Sequence, residues 1–290
     1  MADFAIRKGL ESMEEYSVEH VAADIIVNAN ESNYEMPEAV RQAVLERTQS
    51  FPFNRYPPIK SENLCEAIAE ELDLDIANVK IGNGSSELLQ VACYVFGGYG
   101  KKIAIPYPSF SMYGEYATLS DSVAAPYPLT EDGYVDADVV IEFCERERPA
   151  LLIVCNPNNP TGNDLCRDEI VKLLNTFDGL VVVDEAYIDF SDSPSFRFDL
   201  AKYPNIVVLQ TFSKAWGSAA IRLGMAFASE EIIGLFNKIK YPYNVNLLTQ
   251  QQAIQMLGRK EEIEAWVAIL KEERARMENE LLQLPLTEKI

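Results

Sequence analysis

A chain of 290 residues, 48% of them apolar, can bury one large core with a smaller attached lobe, which excludes a disordered chain. Its 25 basic and 45 acidic side chains give a formal net charge of −20, which repels phosphate backbones and anionic lipid surfaces, so neither nucleic acid nor membrane is an expected partner. The only histidine is His20, so Ser-His-Asp, Cys-His and multi-histidine metal chemistries are excluded, and no metal site is expected.

The N-terminal residues lack an apolar signal region, and no stretch approaches the ~18–20 apolar residues that a membrane span needs. Five cysteines, an odd number with no C-x-x-C spacing, read as reduced thiols of a cytoplasmic protein. After an N-terminal arm, Ile81-Gly82-Asn83-Gly84-Ser85-Ser86-Glu87 follows a short strand and opens a helix to about residue 96. Exposed N–H groups and two hydroxyls at a helix start make an anion cradle, although Ser85 as an ordinary N-cap is an equally open reading. A dinucleotide fingerprint fails, because Glu87 stands where a third small residue is needed.

Apolar runs at 102–106, 151–155, 180–184, 206–210 and 224–228 have the Val/Ile/Leu character of strands buried on both faces. Helical segments at 136–147 and 167–177 lie between them, so the pattern is βαβ and the fold α/β, with a mostly parallel central sheet flanked by helices. The turn Asn156-Pro157-Asn158-Asn159-Pro160-Thr161-Gly162 follows the second run directly, at the strand end where open α/β sheets bind ligands. In Leu180-Val181-Val182-Val183-Asp184-Glu185-Ala186-Tyr187, four apolar residues run into a carboxylate. Burying Asp184 costs several kcal/mol unless a cation or strong donors meet it. A protonated pyridine nitrogen is one such partner; an Asp capping the next helix is the plain alternative, and a Walker-B role fails for want of a P-loop. Thr211-Phe212-Ser213-Lys214-Ala215-Trp216-Gly217 places a lysine just after a strand, where desolvation makes it a Schiff-base nucleophile; a solvated surface lysine is the alternative. Ser213 and Arg222 offer a hydroxyl and a guanidinium to one phosphate. Residues 230–284 read as mostly helical, with a long charged amphipathic stretch at 261–282.

In chain order these constellations resemble the fold-type-I, class II aminotransferases, most closely the histidinol-phosphate aminotransferase branch. Asn28-Ala29-Asn30-Glu31, Arg55-Tyr56-Pro57 and Pro106-Tyr107-Pro108-Ser109-Phe110-Ser111-Met112-Tyr113 extend the match to roughly residues 16–258. The resemblance implies a pyridoxal-5′-phosphate (PLP) enzyme with an N-terminal arm at 1–30, a large cofactor-binding domain at 31–257 and the start of a C-terminal small domain at 258–290. It implies that Lys214 holds the cofactor as a Schiff base and moves the substrate's α proton, and that Asp184 pairs with the ring nitrogen. Tyr187 and Asn159 are expected at the ring hydroxyl and Phe110 on the ring face. Gly84, Ser85, Ser86, Thr211, Ser213 and Arg222 are expected around the cofactor and its phosphate, with Tyr56 reaching in from a second subunit of a homodimer with shared active sites. Tyr16, Asn30 and Glu31 match positions near the substrate.

The implied reaction moves an amino group between histidinol phosphate and 2-oxoglutarate. The substrate class is thus an amino or oxo acid or a phosphorylated amine. Aromatic-amino-acid aminotransferases and threonine-phosphate decarboxylases share the cofactor motifs and remain alternatives. Phe110 stands where many relatives have Tyr, and Ser218-Ala219-Ala220 where Leu-Ala-Gly is commoner. The family's arginines for acidic substrate groups are expected beyond Ile290, which makes a catalytically weak, truncated PLP-binding protein a further alternative.

Overall fold

The computed structural model describes residues 9–13, 15, 17, 22–285 and 287. The elements run α1 (Glu38–Thr48), α2 (Glu62–Leu72), β1 (Val79–Asn83), α3 (Gly84–Phe96), β2 (Lys102–Tyr107), α4 (Met112–Leu119), β3 (Val123–Pro128), α5 (Ala137–Glu147), β4 (Leu151–Cys155), α6 (Arg167–Thr176), β5 (Leu180–Asp184), β6 (Ile206–Thr211), β7 (Leu223–Ala228), α7 (Glu230–Ile239), α8 (Leu247–Leu257) and α9 (Lys260–Leu281). The seven strands form one sheet in the order β1-β7-β6-β5-β4-β2-β3. Every pairing is parallel except those of β7 with β6 and with β1.

The apolar runs behave as expected for strands covered on both faces: every residue of β4, β5, β6 and β7 is buried. Alternation splits them between two cores. Leu152, Val154, Val181, Val183, Ile206 and Val208 join the cluster that receives α2, α5, α6 and α8, while Leu151, Ile153, Val182, Val207 and Leu209 join the cluster that receives α3, α4 and α7. The result is three layers with the sheet in the middle. Two features lay outside the sequence reading. The run at 224–228 is antiparallel to its neighbours, and β3, with Pro126 and Pro128, escaped notice because proline depletes strand character; at a sheet edge its missing N–H costs nothing.

The helix α9 is 22 residues long and buries only Ile263 and Val267. Its outer face carries ion pairs such as Arg276 with Glu273 and Glu280. Trp266 on α9 stacks on Tyr34 at 5.0 Å, tying the segment before α1 to this helix. Among the described residues no helix is long and apolar enough to cross a membrane.

The strand pattern brings the functional segments to one edge of the sheet. Strands β4, β5 and β6 end there, and β1 runs parallel to β6 because both are antiparallel to β7, so α3 starts at the same edge. The reversed strand β7 begins there, directly after Arg222. Gly224 makes this close approach possible: a Cβ at that position would overlap the Ser85 backbone nitrogen and the Gly84 carbonyl carbon. Both obstacles are backbone, so neither can swing aside. Gly224→Ala is expected to destabilise the protein by about 1–3 kcal/mol and to weaken binding of a phosphate-bearing ligand. Denaturant melts and a phosphate-dependent cofactor titration check this; unchanged stability together with unchanged affinity would show that the α3 start moves freely.

Candidate active site

At that edge a cavity of about 450 Å³ collects most of the residues singled out from the sequence: Ser85, Ser86, Phe110, Asn159, Asp184, Tyr187, Thr211, Ser213, Lys214, Arg222 and Asn30. Gly84 lies against it, since a Cβ there would stand 2.7 Å from Arg222 Nη2. Its φ of +73° is left-handed backbone that favours glycine, and its N–H donates to the Arg222 carbonyl at 2.8 Å.

One end of the cavity is built for an anion. Asn83, not Ser85, is the N-cap of α3; its side chain donates to Glu87 Oε2 at 3.1 Å and accepts no bond from the backbone N–H groups of the first turn. Ser85 and Ser86 therefore stand within the first turn, which is left to a ligand. Opposite them, Arg222 Nη1 donates to Ser213 Oγ at 3.2 Å and to the Ala219 carbonyl at 3.0 Å. The Ser213 hydroxyl also meets Thr211 Oγ1 at 3.0 Å, so hydroxyls and guanidinium form one linked group.

The other end holds a buried carboxylate. Asp184 terminates β5 and is 6% exposed. Its Oδ2 accepts from the Tyr113 hydroxyl at 2.9 Å and its Oδ1 from the Ala186 N–H at 3.1 Å. Burial pushes its carboxyl above the usual aspartate range, and those two donors only partly oppose the shift. The helix-cap alternative does not apply, because the short turn of helix that follows has Tyr187 as its N-cap. Among the described residues no ion pair reaches Asp184, so the carboxylate lacks the cation that would offset its burial.

Between these ends lie the ring-sized and reactive groups. Phe110 packs edge to face on Tyr113, with centroids 5.5 Å apart. The turn carrying Phe110 is clasped to the Asn-Pro turn: Ser109 Oγ donates to Asn158 Oδ1 at 2.6 Å, and Asn158 Nδ2 donates to the Pro108 carbonyl at 3.2 Å. Lys214, three residues beyond β6, is half-buried; its Nζ donates to the Ala29 carbonyl at 2.9 Å and lies 5.6 Å from the centre of the Tyr187 ring. Burial lowers its pKa below the usual lysine value; Glu31 opposes the shift and Arg222 adds to it. Asn30 Nδ2 donates to the Tyr187 hydroxyl at 3.1 Å.

A second cavity of about 760 Å³ shares Asn30, Asn159, Tyr187 and Lys214 with the first and adds Glu31. Lys271 and Arg274 of α9 also line it. Lys271 pairs with Asp192, and Arg274 with Glu278 at 3.7 Å. Tyr56 lines neither cavity. Tyr56 is 80% exposed and stacks on Tyr243 at 4.5 Å, and Tyr16 falls outside the described residues. Tyr113 and Cys155, which do line the first cavity, had been given no role.

A flat cationic heteroaromatic ring carrying a phosphate suits this arrangement. It would supply the missing charge at Asp184, a face for Phe110 and an anion for the α3 start with Arg222. Pyridoxal-5′-phosphate is such a group, and the residues present fit it. The fold and the site together define a PLP-dependent transferase of fold type I. The model of the family "Aminotransferase class I and II" matches residues 23–289, and the chain belongs to that family: it is a PLP-dependent aminotransferase. It is 46% identical over 274 residues to a histidinol-phosphate aminotransferase of Bacteroides fragilis, an alignment covering 94% of this chain and 74% of that protein. Among solved structures, the histidinol-phosphate aminotransferase of Clostridium acetobutylicum superposes with a TM-score of 0.82 at 24% identity, over 90% of this chain and 78% of that one. The enzyme of the same name from Sinorhizobium meliloti, solved with pyridoxal-5′-phosphate, gives 0.81 at 23% identity, over 87% and 68%.

Proposed function

We propose that the chain exchanges an amino group between histidinol phosphate and 2-oxoglutarate, giving imidazole-acetol phosphate and glutamate. The observation that carries this reading is the meeting of Lys214, Asp184 and the Ser85–Ser86–Ser213–Arg222 group in one cavity, in a chain 46% identical to a histidinol-phosphate aminotransferase. When bound, the cofactor supplies an electron sink for the carbanion formed at the substrate's α carbon.

The chain's own residues do the rest. Lys214 would take and return the proton at the substrate's α carbon, a task suited to an amine whose pKa is lowered by burial. Asp184 holds the proton on the ring nitrogen by pairing with it as an anion. Tyr187 and Asn159 hydrogen-bond the ring hydroxyl, and Phe110 covers one ring face. Ser85, Ser86, Ser213 and Arg222 hold the phosphate, with Thr211 fixing Ser213. Asn30 and Glu31 border the substrate. Residues 31–257 form the cofactor-holding domain in this reading, and α9 leads away from it.

Single-turnover absorbance changes of the cofactor-loaded enzyme against a panel of amino donors test the substrate. Histidinol phosphate is expected to react with at least about tenfold higher kcat/KM than phenylalanine or tyrosine, since losing one charged hydrogen-bonded anchor is worth about that factor. Equal or faster reaction of an aromatic amino acid would contradict the substrate assignment, and carbon dioxide release from threonine phosphate would move the chain to a decarboxylase.

The working form is a cytoplasmic homodimer with shared sites. The exposed stack of Tyr56 on Tyr243 supports this, with Tyr241 and Ile59 also exposed. Mixed dimers of Tyr56→Ala and Lys214→Ala chains are expected to regain about a quarter or more of the wild-type sites' activity. No recovery from verified mixed dimers would confine Tyr56 to its own subunit.

A further inference from the structure

The Asp184 carboxylate, assigned above to the ring nitrogen, is held by a residue that has no part in that assignment. Tyr113, in the first turn of α4, is 1% exposed, and its hydroxyl donates to Asp184 Oδ2 at 2.9 Å. Its ring meets Phe110 edge to face, with an interplanar angle of 87°. Phe110 lies in the turn after β2 and Asp184 at the end of β5, so this one side chain touches two groups from separate elements. The Ala186 N–H engages the other carboxylate oxygen at 3.1 Å. With one donor on each oxygen, the carboxylate cannot rotate without losing a bond that is costly to lose in a buried site.

We infer that Tyr113 is a positioning residue of the transamination site: its hydroxyl fixes and sustains the Asp184 anion, while its ring sets the plane of Phe110. The inference rests on the reading of Asp184 as the partner of the ring nitrogen. Tyr113 touches neither the substrate nor the reacting atoms in this account and acts through Asp184 and Phe110. A neutral hydroxyl suits the task. A second anion there would repel Asp184, and burial together with the Asp184 charge keeps the phenol far from ionising. The Cys155 thiol beside it, which donates to the Pro157 carbonyl, is pushed up to about 12 by burial and adds no charge.

Removing the hydroxyl leaves a more basic carboxylate that competes for the ring proton, so the ring carries less positive charge. With the cofactor bound, a less positive ring would move the pH midpoint of its visible absorbance up. Asp184→Asn moves it further in the same direction. The other titratable and charged groups facing the site, namely Lys214, Glu31, Tyr187, Cys155 and Arg222, are the same in both variants.

The experiment titrates the visible absorbance of cofactor-loaded wild type, Tyr113→Phe, Tyr113→His, Asp184→Asn and the Tyr113→Phe/Asp184→Asn double variant, with cofactor dissociation rates, kcat and KM in parallel. Tyr113→Phe is expected to raise the midpoint, to release cofactor faster and to lower kcat about tenfold or more, with KM little changed. Tyr113→His, which retains a donor, should fall between wild type and Tyr113→Phe, and the double variant should be no worse than Asp184→Asn alone. An unmoved midpoint in Tyr113→Phe beside a moved one in Asp184→Asn would overturn the inference, as would additive effects in the double variant. An unmoved midpoint in Asp184→Asn overturns the reading of Asp184 itself, and the role of Tyr113 falls with it. Should Tyr113→Phe prove unfolded, a Tyr113→His enzyme that is folded but indistinguishable from Asp184→Asn would also overturn it.

Discussion

Replacing Lys214 by alanine is expected to lower the transamination rate by at least about 10⁴-fold, the upper end of what one general acid–base group contributes, and to leave the protein folded. The side chain is half-buried, and its Nζ donates to the carbonyl of Ala29, so its removal opens no packed core. The other groups at the anion end stay in place, because Ser85 and Ser86 are fixed by α3, and Ser213 by Thr211 and Arg222. The variant should therefore still take up PLP, non-covalently and more weakly, with a melting temperature close to that of the wild type. Added small amines are expected to restore part of the proton transfer. A Lys214→Ala enzyme retaining more than a few per cent of wild-type turnover would show that another group moves the proton.

Asp184→Asn should show the second largest effect, a fall in kcat on the order of 10²–10³-fold, comparable to losing one preorganised electrostatic group. A neutral amide cannot hold the ring proton, so the loss should appear in the proton-abstraction step and as a substrate deuterium isotope effect on kcat. Stability should change the other way in the cofactor-free protein. The folded carboxyl has a raised pKa, so its burial penalty is absent below the ordinary aspartate range, grows as pH rises through the folded value and is full above it. The asparagine variant is thus expected to be the more stable of the two at neutral pH, with the difference vanishing in acid. Tyr113 can turn its hydroxyl to accept from the new amide. A less stable variant at neutral pH with unchanged single-turnover rates would mean that Asp184 serves the fold alone.

Much of this was legible in the sequence because the relevant signals are local. Apolar runs covered on both faces mark β4, β5 and β6, and the residues that follow each run necessarily reach one edge of a parallel sheet. That rule alone places Asp184, Asn159 and Lys214 at the edge. What escaped depends on contacts between distant segments. The bond from Tyr113 to Asp184 spans 71 positions, and nothing in the spacing of Tyr113 distinguishes it from a core aromatic; its position three residues after Phe110, one helical turn on, was the available hint. The direction of β7 is set by pairing on both sides rather than by its composition. Likewise, Lys271 and Arg274 reach the larger cavity only through the packing of α9 against the segment that follows β5.

The central claim is that Lys214 is the residue to which the cofactor is joined. Borohydride reduction of the PLP-loaded enzyme, followed by proteolysis and mass spectrometry, tests it most directly. The account predicts a single pyridoxyl adduct, on the peptide containing Ser213-Lys214-Ala215, and none when histidinol phosphate has first converted the cofactor to its amine form. A stoichiometric adduct on any other lysine, such as Lys271 at the rim of the larger cavity, would contradict it.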